Sequence, residues 1–250
     1  MIVLTLTFQL EPLDMTWKDC FLRCWLVCVK EDDKEEERDQ DNNDEMLRPW
    51  MEACRDILEN GDLFMSTPKF PIELLPWLYL SDLHTARKVQ LLRDQGITHV
   101  LSTNRMPLES IQAMTREYKS HGILHKAVPG EDHDGYDMIG SHWKDCGKFM
   151  ERAKRRHQQP KVLVHCAHGS NRSALIAAAA MLLLNDDNDD NDNNPPLVRL
   201  VRTLSEKRGR VLTNRSFQKQ LCLLAKQEGK LGPKPTISSK QQPRTDGKTP

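Results

Sequence analysis

The stretch that decides the fold runs from Lys161 to Leu184 and reads KVLVHCAHGSNRSALIAAAAMLLL. Its first part, KVLVHC, is a continuous apolar run of the kind that forms strands buried on both faces. From about Arg172 the segment becomes rich in Ala and Leu without a break, which predicts a buried helix. The residues between, with Gly169 at their centre, therefore predict a loop that joins a buried strand directly to a buried helix.

Strand-like and helix-like segments alternate on both sides of this stretch. The segment Ile72–Leu80 is predicted as extended chain interrupted by Pro76. Alternation of this kind indicates an α/β domain in which helices flank a central, mostly parallel sheet of about five strands. Further strands are predicted at 97–103 and 123–129, and helices at 86–96, 137–157, 197–207 and 215–227.

Composition divides the chain into a folded middle and polar flanks. Residues 1–65 are predicted as an N-terminal extension that is partly helical and carries an acidic, disordered run at 31–45. Residues 66–229 form the predicted folded domain, interrupted by an acidic low-complexity insert at 185–196. Residues 230–250 are predicted as a disordered tail. The acidic segments contain too little apolar surface to offset the entropy of the chain.

Two helical faces are predicted within the extension. The regular spacing of Cys20, Cys24 and Cys28 could be interpreted as a metal or acylation site, but no histidine or second cysteine pair completes a ligand set. We therefore predict that these cysteines pack in a buried helix face. The two faces consist of Phe21, Cys24, Trp25 and Cys28, and of Leu47, Trp50, Cys54 and Leu58.

The net charge of zero hides a segregation of charge along the chain. Residues 66–229 without 186–192 contain 24 Lys and Arg against 13 Asp and Glu, which leaves a balance of +11. A basic domain favours an anionic substrate or partner. An ordinary solvated basic surface is the alternative interpretation.

The cysteines and the N-terminal residues indicate a cellular compartment. The seven cysteines are irregularly spaced and do not form an even disulfide set. The N-terminus lacks the basic region of a secretory signal, and no apolar run is as long as a membrane span. We therefore expect an intracellular protein of the cytoplasm, the nucleus or both, without a membrane span and with free thiols.

The loop after the KVLVHC strand has the features of an oxyanion site. In open α/β sheets ligands bind at the carboxyl ends of strands, where Cys166 stands. Backbone N–H groups at a helix N-terminus bind a phosphate-sized anion. The positive electrostatic potential of these groups also lowers the pKa of a nearby cysteine. Cys166 is therefore the predicted nucleophile, and Arg172 is predicted to offer its planar fork to two phosphate oxygens.

The neighbours of Cys166 allow further expectations and two other interpretations. His165 is expected to point into the structure, and the Ser173 hydroxyl to reach the sulfur and favour its departure in a second chemical step. The order strand, cysteine, glycine, arginine, helix argues against a merely structural thiol. A metal site of His165, Cys166 and His168 is disfavoured because neighbouring strand residues point to opposite faces.

The segment HCAHGSNRS at 165–173 resembles the signature of cysteine-dependent protein tyrosine phosphatases, in particular the compact dual-specificity phosphatases. The resemblance covers about residues 68–228, where LLPWLYLSD, GITHVLSTN with Asn104, and RGRVLTNRSF are similar to other family segments. It implies that the domain at 66–229 has the phosphatase fold. It also implies hydrolysis of phosphotyrosine and phosphoserine or phosphothreonine in proteins through a cysteinyl-phosphate intermediate, with no cofactor or metal. The phosphate-binding residues that it implies are Ala167, His168, Gly169, Ser170, Asn171 and Arg172.

The resemblance further implies a general acid on a separate loop, which protonates the leaving oxygen. The segment VPGEDHDGYDMIGSHW offers Glu131, Asp132, Asp134 and Asp137. We assign the acid to Asp132, because in similar sequences the acid lies five residues before an acidic or amide residue that opens the next helix. Asp137 holds that second position and is predicted to cap the helix. Asp134 is the alternative acid.

Two other functions compete with a protein phosphatase, whose partner would be a phosphorylated protein. His168 and Asn171 are shared with the HC-x-HG-x-NRT pattern of RNA 5′-triphosphatases of the same superfamily, and a basic domain suits RNA. Ser173 and Ala174 depart from that pattern, and the acid loop is of the protein-phosphatase kind. An inactive phosphoprotein-binding module is the third interpretation, against which the intact nucleophile, arginine and acid argue. The sequence predicts no oligomeric state.

Overall fold

Five strands form one sheet in the computed structural model, which describes residues 43–60, 69–156, 158–185 and 196–235. The chain divides into two units, Met1–Met46 and Leu47–Pro250, and the sheet lies in the second. The strands are β1 (Ile72–Leu75), β2 (Leu78–Asp82), β3 (His99–Ser102), β4 (Leu124–Ala127) and β5 (Val162–Cys166), in the spatial order β1-β2-β5-β3-β4.

The strand directions confirm a mostly parallel sheet. Strand β1 is antiparallel to β2, and the turn between them contains Pro76 and Trp77. The pairs β2–β5, β5–β3 and β3–β4 are all parallel. Strand β5 is therefore the central strand, with a hydrogen-bonded neighbour on each side, and every residue in it is buried. This position explains its continuous apolar sequence.

The predicted helices are present, with two differences. The helix predicted at 86–96 is shorter, at Val89–Asp94, and a separate helix at Leu83–Ala86 precedes it, capped by Asp82, which accepts a hydrogen bond from the Thr85 N–H at 2.8 Å. A helix at Leu108–Ser120 was not predicted, since only Met114 and Tyr118 in it are buried and its apolar pattern is weak. The helices are α1 (43–60), α2 (Leu83–Ala86), α3 (Val89–Asp94), α4 (Leu108–Ser120), α5 (Met138–Arg156), α6 (Arg172–Leu183), α7 (Pro196–Arg208) and α8 (Arg215–Gln227).

Helices cover both faces of the sheet and form two apolar clusters. Leu163 packs with Tyr118 of α4 in one cluster, whereas Val162 and Val164 pack with α6 in the other. Helix α6 is surrounded by β5, α5, α7 and α8. It is therefore apolar on all sides, which explains the run of Ala and Leu in its sequence.

Helix α1 contributes to the larger cluster. Leu47, Trp50 and Cys54, which share the second predicted face, are buried there, and Leu58 is partly buried. The Trp50 indole N–H donates to the Leu231 carbonyl at 3.1 Å. The first predicted face, with Phe21, Cys24, Trp25 and Cys28, lies outside the described residues, as do residues 186–195 of the acidic insert and 236–250 of the tail.

None of the helices within the described segments has both the length and the apolarity needed to cross a bilayer.

Candidate active site

The loop after β5 has a shape that only glycine permits at its centre. Cys166 ends β5 with 1% of its surface exposed, and α6 begins at Arg172. Gly169 has a φ of +63°, in the left-handed region. A Cβ atom there would lie 2.7 Å from the Ser81 carbonyl oxygen and 2.9 Å from Phe70 Cζ. The loop therefore packs so tightly against β2 that any side chain at this position would displace it.

The Cys166 sulfur lies among hydrogen-bond donors. The Ser173 hydroxyl donates to it at 3.1 Å, and the backbone N–H groups of Ser170 and Ser173 also point at it. Burial alone would raise the pKa of the Cys166 thiol, but these donors and the Arg172 guanidinium outweigh burial and lower it. The site thus favours the thiolate, which is the nucleophilic form of cysteine.

Behind the loop, His165 begins a chain of hydrogen bonds that runs from the buried strand β5 to α4. Its Nε2 lies 2.7 Å from the Ser102 hydroxyl, which lies 2.8 Å from His125 Nε2. The Thr115 hydroxyl of α4 lies 2.7 Å from His125 Nδ1. Burial lowers the pKa of both histidines to about 4, so both rings are neutral near pH 7. His165 therefore points away from the sulfur, as expected, and helps to hold the strand that carries it.

Asp132 is the carboxylate that the fold brings to the loop. The Asn171 side-chain N–H₂ donates to it, with Nδ2 lying 3.3 Å from Oδ1 and 3.2 Å from Oδ2. The Arg172 Nε lies 3.9 Å from Asp132 Oδ2, and the two side chains are 12% and 28% exposed. A carboxylate thus lies beside the guanidinium at the mouth of the loop.

The other acidic residues of this segment have different surroundings. Asp134 is exposed, and its side chain forms no hydrogen bond or ion pair with any described residue of the loop. Glu131 is paired with Arg105 at 2.6 Å. Asp137 accepts the Gly140 N–H at 2.8 Å, which is the expected cap of α5. Of the four candidates, Asp132 is the one placed beside the loop between β5 and α6.

Arg208 contributes to the site and was missed from the sequence. Its Nε donates to the Gly169 carbonyl at 2.8 Å, and its Nη2 donates to the His168 carbonyl at 3.0 Å. The guanidinium also lies over the Phe70 ring, 5.1 Å from its centre. These contacts fix the backbone of the loop at His168 and Gly169. Arg208 lies at the far end of α7, and no local pattern in EKRGR marks it.

Asn214 is a second residue that was missed. Its side-chain N–H₂ donates to Asp132 Oδ1 at 3.2 Å and to the His133 carbonyl at 3.2 Å. Its Oδ1 caps α8 by accepting the Ser216 N–H at 3.1 Å. An asparagine directly before a predicted helix is a recognisable cap signal. No feature of the sequence indicates that Asn214 also contacts the segment that contains Asp132 and His133.

Together these groups can bind a tetrahedral oxyanion and attack its central atom. The loop supplies a thiol of lowered pKa, backbone N–H groups that point at its sulfur and a guanidinium, and Asp132 adds a carboxyl group that can transfer a proton. The His168 side chain is exposed at the edge of this site.

The sequence matches the family described as "Dual specificity phosphatase, catalytic domain" over residues 78–227. Dual specificity protein phosphatase 26 of Homo sapiens is 32% identical over 154 residues, which cover 61% of this chain and 65% of that protein. Dual specificity protein phosphatase 5 of Homo sapiens is 34% identical over 106 residues, which cover 42% of this chain and 25% of that protein. The chain thus spans less than two thirds of the length of these relatives. The crystal structure of human DUSP28 aligns with a TM-score of 0.49 and 20% identity, covering 66% of this chain and 99% of that one.

Proposed function

This chain belongs to the dual specificity phosphatase family, and from that premise we propose that it hydrolyses phosphotyrosine and phosphoserine or phosphothreonine in proteins. The observation that carries the proposal is the position of Asp132, which lies beside the loop that joins Cys166 to Arg172. We assign the catalytic domain to residues 66–229 and the reaction to the cytoplasm, the nucleus or both, where thiols stay reduced.

In the first step the Cys166 thiolate attacks phosphorus and forms an S–P bond. The bond from phosphorus to the leaving phenol or alcohol oxygen breaks, and Asp132 gives that oxygen its proton. The backbone N–H groups of the loop and Arg172 stabilise the charge on the equatorial oxygens. The Arg172 Nε has no hydrogen-bond partner among the described residues, so it has a proton to offer a phosphate oxygen.

In the second step water hydrolyses the cysteinyl-phosphate. Asp132, now a carboxylate, takes a proton from the attacking water, while the S–P bond breaks and the sulfur leaves as a thiolate. The Ser173 hydroxyl, 3.1 Å from that sulfur, stabilises the departing charge. Inorganic phosphate is released, and Asp132 is again protonated for the next cycle.

Phosphate release from phosphotyrosine peptides, phosphothreonine peptides and triphosphate-ended RNA, measured side by side, tests this function. We expect release from both classes of peptide and none from a Cys166→Ser variant. Release from RNA alone would favour the triphosphatase instead. Tight binding of phosphopeptides without any release would indicate an inactive binding module.

A further inference from the structure

Asn171 occupies a capping position but does not act as a cap. It directly precedes α6, where an asparagine side chain ordinarily accepts an N–H of the first helical turn. Its side chain forms no such hydrogen bond. The amide is therefore available for contacts outside its own helix.

Those contacts join three separate segments of the chain. The Asn171 Oδ1 accepts the Thr213 N–H at 2.8 Å and the Thr213 hydroxyl at 3.2 Å, and it lies 3.4 Å from the Asn214 backbone nitrogen. The Asn171 Nδ2 donates to both carboxylate oxygens of Asp132, at 3.3 Å and 3.2 Å. One side chain of the phosphate-binding loop thus contacts both the acid loop and the entry to α8.

The orientation of the amide follows from its partners. Backbone N–H groups at Thr213 and Asn214 are donors, so the atom facing them must be the oxygen of Asn171. The N–H₂ end then faces Asp132. A serine or alanine could not make both contacts, and an aspartate would place one carboxylate against another.

We propose that Asn171 is a positioning residue that holds the carboxyl group of Asp132 over the phosphate-binding loop, using the entry to α8 as its fixed support. The inference rests on the proposed function, since it takes Asp132 as the general acid. Asn214 donates to the same carboxylate from α8 at 3.2 Å. Two amides from different segments therefore set the position of one proton donor.

A leaving-group comparison tests the role of Asn171. Aryl phosphates with a good leaving group need little protonation, whereas phenyl phosphate needs a well-placed acid. We expect Asn171→Ala to lower kcat/KM, which reports the first chemical step alone, about 10-fold or more on phenyl phosphate, with a much smaller loss on 4-nitrophenyl phosphate. The isosteric Asn171→Asp variant keeps the contacts with Thr213 but repels Asp132, and it should show the same selective loss.

A double-variant cycle separates positioning from a general structural effect. If Asn171 acts through Asp132, then Asn171→Ala should cause no further loss in an Asp132→Asn background. Asn60→Ala is the matched control, because Asn60 is an exposed helix residue whose amide donates to Asp56 at 2.6 Å. It should leave both rates unchanged.

Two results would overturn the inference about Asn171. One is an equal loss of kcat/KM on both substrates, and the other is a loss of kcat/KM that adds fully to that of Asp132→Asn. The function itself fails on different evidence, namely phosphate release by a Cys166→Ser variant at the rate of the native chain.

Discussion

The Ser173 hydroxyl donates a hydrogen bond to the Cys166 sulfur across 3.1 Å, and both side chains are buried. The sequence places these residues seven positions apart, on opposite sides of the loop. The fold brings them together because β5 ends at Cys166 and α6 begins at Arg172. A buried donor aimed at a sulfur stabilises the thiolate far more than the thiol.

Replacing Ser173 by alanine should slow the second chemical step. Hydrogen bonds to charged groups contribute about 1.5–3 kcal/mol, which corresponds to roughly 10- to 100-fold in the rate at which the thiolate leaves. Rapid-mixing kinetics should then show a burst of the first product followed by slow turnover. The pKa of the Cys166 thiol should also rise, so that alkylation by iodoacetate requires a higher pH. The exposed Ser120→Ala serves as the control, and a Ser173→Ala variant without a burst or a slower turnover would count against this role.

Asp132→Asn and Asp134→Asn should differ sharply. The amide of asparagine cannot protonate the leaving oxygen, so Asp132→Asn should lower kcat by about 10²- to 10⁴-fold on phosphopeptides with little change in their binding. The Asp134 side chain, unlike that of Asp132, has no hydrogen bond or ion pair with the described residues of the loop, so its replacement should leave kcat unchanged. Steady-state kinetics of the two variants decide which aspartate is the general acid. A reversed order of effects would move the acid to Asp134.

Gly169→Ala should distort the phosphate-binding loop, because its Cβ would lie 2.7 Å from the Ser81 carbonyl oxygen. Gly122 is the matched control, since it has a similar φ of +76° but no atom within 4 Å of the added Cβ. Both variants carry the left-handed strain of about 1–3 kcal/mol, but Gly169→Ala alone should also lose activity. Urea unfolding and phosphate release measure the two effects. Equal behaviour of the two variants would show that the tight packing against β2 is unimportant.

Much of the fold follows from the sequence because β5 and α6 are buried on all sides. Burial makes their apolar runs continuous, and the loop between them carries Cys166, Gly169 and Arg172 at close spacing. Local sequence therefore contains both the position and the chemistry of the loop. Helix α4 was missed for the opposite reason, since most of its surface is exposed and few apolar residues mark it.

The supports of the loop could not be predicted in the same way. Arg208 lies about 40 positions from the carbonyls that it contacts, and it reaches them only because α7 ends beside the loop. Asn214 is marked as a helix cap, but its contact with Asp132 depends on the meeting of two distant loops. Contacts of this kind are set by tertiary packing, and a single sequence contains no periodic signal for them.

The buried histidines should make stability depend on pH. The pKa of His165 falls from 6.5 to about 4 through burial, so the unfolded chain binds more protons than the folded chain between these values. The free energy of unfolding should therefore decrease as the pH falls from 6.5 towards 4. Near pH 5 the decrease is about 2 kcal/mol for each of these histidines, relative to neutral pH. Urea unfolding of the native chain and of His125→Gln, at neutral and mildly acidic pH, should show a weaker dependence in the variant. Exposed His121→Gln is the control, and an identical pH dependence in all three proteins would refute the assignment.

The most direct test of the account is to trap the phosphoryl group on Cys166. Ser173→Ala, in which the second step is slowed, is mixed with a phosphotyrosine peptide, quenched in acid, digested and mapped by mass spectrometry. We predict one phosphoryl group on the peptide that contains Cys166. The double variant Cys166→Ser/Ser173→Ala should give neither this adduct nor phosphate release. Phosphate release by the Cys166→Ser protein at the rate of the native chain would contradict the account.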